Sequence, residues 1–343
     1  MTFTEQVLRP VAAIYSVAAR LRAAAYRCGF LRPRALDAVV ISVGNLTVGG
    51  TGKTPMVLWI AERLRREGAQ IGILSRGYRG WSREAGEGLP GSRTARSTSD
   101  EVELLSARLG PQVAFGVGAR RFPGGAELVG QGVKWLILDD GFQHLELARN
   151  VDIVLLDATN PFGGGRLLPA GRLREPRSAL ARADVIVITR ADSAPAVEAI
   201  VRRYSEAPVF YARVAPAGVR AFRGTYPGGE DPEARSKRLF AFCGIGNPGA
   251  FVADLRTWGF RLTGHRFFPD HHAYTEREIG DLWREAVEAG AGALICTEKD
   301  IFNLGKARSE NVPLLYCPIS IEVRNEDEFW RAIKGRIERP KRP

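Results

Sequence analysis

Val43-Gly-Asn-Leu-Thr-Val-Gly-Gly-Thr-Gly-Lys-Thr-Pro55 sets four glycines, three threonines and one lysine within a single turn of chain. The β-branched run Ala38–Val43 leads into it, and a helical pattern from Thr54 to about Glu67 follows. Strand, glycine-rich loop and helix in that order are the setting of a phosphate-binding loop. Glycines let the backbone curl so that successive N–H groups converge on phosphate oxygens, and the helix N-terminus adds positive potential. In this reading Thr47, Gly49, Gly50, Thr51 and Gly52 form the cradle. Lys53 reaches the β- and γ-phosphates, and the Thr54 hydroxyl faces Mg²⁺. Pro55 falls in the first helical turn, where its missing N–H costs little. The strict spacing would place a glycine at Thr47; here the glycines are shifted to Gly49 and Gly50.

Outward from the loop, strands and helices alternate. Gln70–Leu74 reads as a second strand, ending in Ser75-Arg-Gly-Tyr78. Residues 80–99 are polar loop, and Asp100–Leu109 suits a helix. Apolar runs follow at Trp135–Leu138, Val151–Leu156 and Val185–Ile188. Near-continuous apolar strands separated by helices imply a parallel sheet covered on both faces. Residues 214–236, dense in Gly, Pro and charge, read as a linker. Strands Leu239–Cys243, Ala293–Cys296 and Leu314–Tyr316 then alternate with helices Ala250–Trp258, Thr275–Ala289 and Glu326–Ile337. The expected fold is a P-loop NTPase-like α/β/α domain over 35–213. A smaller α/β/α domain follows over 237–343, behind an N-terminal amphipathic helix within 1–34.

The 343 residues carry a net charge of +11, yet its distribution is uneven. Residues 1–34 hold six arginines against Glu5, residues 331–343 hold six basic residues against Glu338, and the remainder is nearly neutral. Nucleic-acid binding would need a basic stripe with interleaved aromatics across the body, and none is present. The four cysteines form no CxxC pair, which argues against a zinc site or disulfide framework and fits a reducing compartment. No apolar run reaches the ~18–20 residues that span a bilayer. Val7, Val11, Ile14, Ala18, Leu21 and Ala25 fall on one helical face. That face either docks on the core or lies on anionic lipid.

Other motifs bear on chemistry. A P-loop needs an acid at the end of a neighbouring strand to hold its metal, and Trp135-Leu-Ile-Leu-Asp-Asp140 offers Asp139 and Asp140. Asp100-Glu101 opens a helix, where carboxylates are favoured by the helix dipole in any case. His271 is one of only four histidines and follows Pro269-Asp270. Gly163-Gly-Gly-Arg-Leu-Leu-Pro-Ala-Gly-Arg-Leu-Arg-Glu175 offers Arg166, Arg172 and Arg174 for anion binding. Thr189-Arg-Ala-Asp192 mimics the guanine-reading element of GTPases, so a GTP-dependent switch or metallochaperone is the rival reading.

In combination the motifs resemble the tetraacyldisaccharide 4′-kinase family, the lipid A 4′-kinases of Gram-negative bacteria. The matching elements are Gly44–Pro55, Ser75-Arg-Gly-Tyr78, Asp100-Glu101, Asp139-Asp-Gly-Phe-Gln-His144, Pro169-Ala-Gly-Arg-Leu-Arg-Glu175, Phe268-Pro-Asp-His271 and Thr297-Glu-Lys-Asp300. The shifted loop glycines are the form that family uses. The resemblance implies ATP- and Mg-dependent phosphorylation of the 4′-hydroxyl of an acylated disaccharide 1-phosphate lipid. It also implies a place at the anionic, cytoplasmic face of the inner membrane; the expected state is a monomer. Asp100 would be the general base and His271 its orienting partner. Asn45, Arg76, Tyr78, Glu101, Arg120, Gln143, His144 and Arg172 would contact substrate. With Asp100 and His271 assigned to different domains, closure of a cleft would be needed to bring them together.

Overall fold

The computed structural model describes residues 9–77, 99–223, 226–304 and 313–339. The chain divides into two compact units. The first comprises Met1–Ser97, Leu109–Arg213 and Ile321–Pro343; the second comprises Thr98–Arg108 and Val214–Ser320.

The first unit begins with α1 (Arg9–Arg27), then β1 (Val39–Asn45), α2 (Lys53–Arg66) and β2 (Ile71–Ser75). After α3 (Asp100–Leu109), which the second unit claims, come β3 (Ala114–Val117), α4 (Arg121–Gly130), β4 (Trp135–Asp139) and β5 (Val151–Asp157). β6 (Val185–Thr189), α5 (Pro195–Val201) and β7 (Val209–Pro216) complete this run. With β14 (Ile319–Val323) the strands form one eight-stranded sheet in the order β14-β7-β6-β5-β1-β4-β2-β3, and all pairs from β7 to β3 are parallel. β5 and β6 are buried along their whole length, as a sheet covered on both faces requires. β1 sits between β5 and β4, with Val43 opposite Asp139. The strand that enters the glycine loop therefore ends beside the strand that ends in two acids. Open α/β sheets bind ligands beyond the carboxyl ends of such strands.

The second unit holds β8 (Arg220–Ala221), β9 (Gly229–Glu230), β10 (Arg238–Cys243), α6 (Pro248–Thr257), β11 (Arg261–Phe267), α7 (Glu276–Glu288), β12 (Ala293–Thr297), α8 (Glu298–Asn303) and β13 (Leu314–Cys317). Its sheet order is β11-β10-β12-β13-β8-β9, parallel through β13 and antiparallel beyond it.

The expected domain limits change in three places. Residues 214–236 are not a linker: β8 and β9 extend the second sheet, and Val219 and Ala234 lie in its core. The last helix, α9 (Glu326–Ile337), belongs to the first unit. Its Phe329 packs 5.3 Å from Trp59 of α2, Trp330 Nε1 donates to Glu67 Oε1 at 2.9 Å, and Arg336 Nε donates to Asp184 Oδ1 at 2.6 Å. Finally, α3 is tied to α8 by its polar side chains and so leaves its sequence neighbours.

α1 lies with the first unit on a face of small residues: Ala12, Ser16, Ala19 and Ala23 are half-buried. Tyr15 Oη donates to Arg174 O at 3.0 Å. The bulky row faces the other way, with Val11 51%, Ile14 70%, Val17 56% and Leu21 64% exposed. Of the two sequence readings, docking of the bulky row on the core is the one the structure removes. Among the described residues no helix is long and apolar enough to cross a membrane.

Candidate active site

The glycine loop is held from three sides. Fully buried Asn45 donates from Nδ2 to Thr51 Oγ1 at 3.0 Å and to Gly49 O at 3.5 Å. Thr189 Oγ1 donates to Thr51 O at 3.1 Å. The segment Arg172–Arg174 lies against the loop: Val48 N donates to Arg172 O at 2.8 Å, and Arg174 N donates to Leu46 O at 2.7 Å. Gly52 takes a left-handed φ of 88° and starts α2 with no side-chain cap, so the first amides of the helix are left to a ligand. Gly44 serves a different purpose, since a Cβ there would lie 2.7 Å from the Phe142 backbone nitrogen.

Lys53 and Thr54 occupy the first turn of α2 and are half-buried. Lys53 Nζ lies 3.6 Å from Asp140 Oδ1, and Arg174 Nη1 donates to Asp140 Oδ2 at 2.6 Å. Burial works against ionisation of Asp140, but Lys53 and Arg174 outweigh it and hold its pKa at about 2. Asp140 Oδ1 is buried and accepts no hydrogen bond among the described residues. Asp139 is buried at the end of β4, where Ser75 Oγ donates to its Oδ2 at 3.5 Å. Thr54, Asp139 and Asp140 thus supply hydroxyl and carboxylate oxygens, one of them an orphan. That donor set suits a hard divalent cation.

Several of the expected ligand contacts already have partners within the protein. Asn45 is a brace of the loop, not an exposed contact. Arg172 directs Nε and Nη2 to Val48 O, at 3.3 and 3.0 Å. Gln143 Nε2 donates to Asn45 O at 3.0 Å while Arg174 reaches its Oε1 at 3.5 Å. Arg120 points to the surface, 69% exposed, and pairs with Glu146 at 3.0 Å. Its neighbour Arg121 is the buried one and feels the charges of Asp140 and Asp139. Burial, together with Arg121 and Arg149, lowers the pKa of His144 to about 4, so the ring is neutral at pH 7. Arg76 is exposed just beyond β2, and Tyr78 lies outside the described residues. Arg174, one of the three arginines offered for anion binding, meets Asp140, and Arg121 is the residue that the sequence did not single out.

The guanine-reading mimic is used otherwise. Thr189 braces the loop, Arg190 Nη1 donates to Asp157 Oδ2 at 2.8 Å, and Asp192 is paired with Arg213 at an exposed position.

A second polar centre lies wholly within the second unit. Buried Asp100, at the first turn of α3, has His271 Nδ1 at 2.9 Å from Oδ2 and 3.1 Å from Oδ1. Asn303 Nδ2 donates to Oδ2 at 2.9 Å, and Glu101 N donates to Oδ1 at 3.0 Å. Lys299 Nζ lies 2.9 Å from Glu101 Oε1 and 3.6 Å from Asp100 Oδ2. Burial opposes the Asp100 charge, but the His271 hydrogen bond and Lys299 prevail and lower its pKa. The same hydrogen bond raises the pKa of His271 against burial. The expectation that domain closure must bring Asp100 to His271 is therefore overturned, because α3 travels with the unit that carries His271. Asp100, Glu101 and His271 also bring three donor atoms within 4.8 Å of one another, but Lys299 already answers that charge.

Comparison with known proteins places this geometry. The sequence pattern of the family described as tetraacyldisaccharide-1-P 4′-kinase matches residues 4–338. A tetraacyldisaccharide 4′-kinase of Anaeromyxobacter sp. (strain Fw109-5) is 40% identical over 338 residues, covering 95% of this chain and 90% of that protein. One from Pelobacter propionicus is 38% identical, covering 97% and 92%. The crystal structure of the "apo" form of LpxK from Aquifex aeolicus, in complex with ATP, superposes with a TM-score of 0.71 at 28% identity. It covers 98% of this chain and all of that one. The chain belongs to the tetraacyldisaccharide-1-P 4′-kinase family.

Proposed function

We propose that this protein transfers the γ-phosphoryl group of ATP to the 4′-hydroxyl of a tetraacylated disaccharide 1-phosphate, as a monomer at the cytoplasmic face of the inner membrane. The observation that carries the reading is the uncapped, left-handed start of α2 at Gly52, with Lys53 3.6 Å from an acid at the end of the adjacent strand. Loop amides and Lys53 bind the phosphates, and Arg174 and Arg121 add positive charge near the same acids. Thr54, Asp139 and Asp140 would hold magnesium, which supplies charge neutralisation on the phosphates. Asp100, ionised at neutral pH, accepts the proton of the sugar hydroxyl. Its conjugate acid is far stronger than an alcohol, so transfer is late, as charge develops on the oxygen. His271 Nδ1–H aims the carboxylate. Most of the rate comes from positioning and electrostatics. The exposed row of α1 and the basic ends hold the enzyme to anionic lipid while ATP comes from the aqueous side.

The direct test incubates the protein with labelled ATP and a disaccharide 1-phosphate lipid in mixed micelles. Label is expected in the lipid, and the Lys53→Ala protein is expected to lose it. Transfer no greater than that of Lys53→Ala would overturn the reading.

A further inference from the structure

The Thr297-Glu-Lys-Asp300 element places Lys299 beside Asp100 and Glu101. In the structure it opens α8, a helix of six residues whose polar side chains point at the two elements that carry Asp100 and His271. Thr297 caps the helix, with Asp300 completing a reciprocal capping box. Fully buried Asp300 also accepts from Gly244 N at 2.8 Å and from Tyr274 Oη at 2.7 Å, and Gly244 O in turn accepts from His271 N at 3.1 Å. Glu298 is buried and ion-paired to Arg108, at the far end of α3, at 3.2 Å. Lys299 meets Glu101 and Asp100 at the near end. Asn303, the last residue of the helix, donates to Asp100 Oδ2. One short helix thus grips both ends of α3 and the loop bearing His271.

We propose that Asn303 is a positioning residue for Asp100: its side-chain amide holds Oδ2, and without it the carboxylate keeps only His271 and the Glu101 amide and is held less tightly in line. The proposal rests on Asp100 acting as the base. A carboxylate pivots about its Cβ–Cγ bond, and two donors on separate elements are the least that fix it. Here the donors from other elements are His271 from the loop before α7 and Asn303 from α8, while the Glu101 amide of its own helix meets Oδ1. The charged groups facing Asp100 are His271 and Lys299, with Glu101 next to it on its own helix and Asp270 beyond His271 and Lys299. None of these replaces the amide, because Lys299 stands at 3.6 Å, beyond hydrogen-bond distance. Asn303 also helps keep the carboxyl ionised against burial.

The experiment compares wild type with Asn303→Leu, which keeps the branched shape and removes the donor, and with Asp100→Asn. Steady-state kcat, KM for ATP, KM for the lipid and the pH dependence of kcat are measured on the full chain. Asn303→Leu is expected to lower kcat about tenfold, the order set by one hydrogen bond to a charged group, with both KM values near wild type. Its acid limb is expected to rise by about one pH unit as the carboxylate loses a donor. A wild-type kcat, or a reduced kcat with an unmoved acid limb, would overturn the proposal. If Asp100→Asn retains wild-type kcat, it is the base assignment that falls. Should Asn303→Leu fail to fold, Asn303→Ser, whose hydroxyl is too short to reach, takes its place with the same expectations.

Discussion

Asp140 and Asp100 are two carboxylates kept ionised by different surroundings. Asp140 is answered by full positive charges, Lys53 and Arg174, which suits a group that would meet a dication and phosphates. Asp100 is answered mainly by hydrogen bonds from His271, Asn303 and the Glu101 amide, with Lys299 at a longer distance. Its pairing carries a pH signature. The Asp100 contribution to stability is fully present above the ordinary value of 3.8 and is lost as pH falls through its lowered folded value. The His271 contribution is fully present below 6.5 and is lost as pH rises through its raised folded value. Between those limits the pair contributes in full. Thermal melts of wild type and His271→Ala are expected to differ most near about pH 5 and less near about pH 9. A difference that grows toward the alkaline end would contradict the pairing. At this scale the sequence already pointed to Lys53, Thr54, Asp139 and Asp140, because loop and strand-end chemistry is local. It could not separate Arg121 from Arg120. These adjacent residues diverge because Arg120 is extended and α4 starts at Arg121, a start masked by the Pro-Gly-Gly that follows.

The glycine loop shows how an element's glycines differ in kind. At Gly52 a Cβ would meet side chains only at 3.6 Å or more, so the cost of Gly52→Ala is the left-handed φ of 88°, about 1–2 kcal/mol. At Gly44 the φ is ordinary, but a Cβ would sit 2.6 Å from the Phe142 Cβ and 2.7 Å from its backbone nitrogen, an overpacking cost of about 1–3 kcal/mol. Denaturant melts should therefore show both variants destabilised. Gly52→Ala is expected to lose ATP affinity as well, because it displaces the first amides of α2. Gly44→Ala should weaken ATP binding only as far as it shifts Phe142 and the turn after Asp140. Equal ATP affinity in wild type and Gly52→Ala would count against the loop as a phosphate cradle. α2 and the central strands were legible because their apolar spacing is regular. α4 was not, since its Pro and three glycines argue against a helix; a Cβ on Gly125 would lie 2.5 Å from Leu36, so packing demands the glycine that propensity disfavours. β11 carries no apolar run either, being an edge strand of the second sheet.

For the molecule as a whole, the net charge of +11 and the exposed row of α1 bear on where the protein sits. Burying a large aliphatic side chain is worth about 1.5–3 kcal/mol, against about 1 kcal/mol for a basic residue near an anionic surface. Apolar contact should therefore dominate, with charge as the support. Ile14→Glu/Leu21→Glu is expected to lose most of its co-sedimentation with vesicles containing anionic phospholipid while melting as wild type, because both positions are solvent-exposed. High salt alone should weaken binding only in part, since it screens the arginines and leaves the apolar row. Unchanged sedimentation of the double variant would remove α1 from the membrane contact. By itself the sequence determined the parallel α/β architecture, the phosphate loop with its two acids, and the family, since each is carried by short runs of residues that are legible one by one. Only the tertiary structure decided that α3 serves the second unit and α9 the first, that Asp100 and His271 are joined without domain closure, and that Asn303 and Arg174 touch the two carboxylates. Those facts rest on packing partners some 30 to 270 residues apart, among them Trp59 with Phe329, Asp100 with Asn303, and Asp140 with Arg174. No local propensity encodes such pairs; they exist because burying those particular surfaces and satisfying those buried polar groups is possible together in only this arrangement.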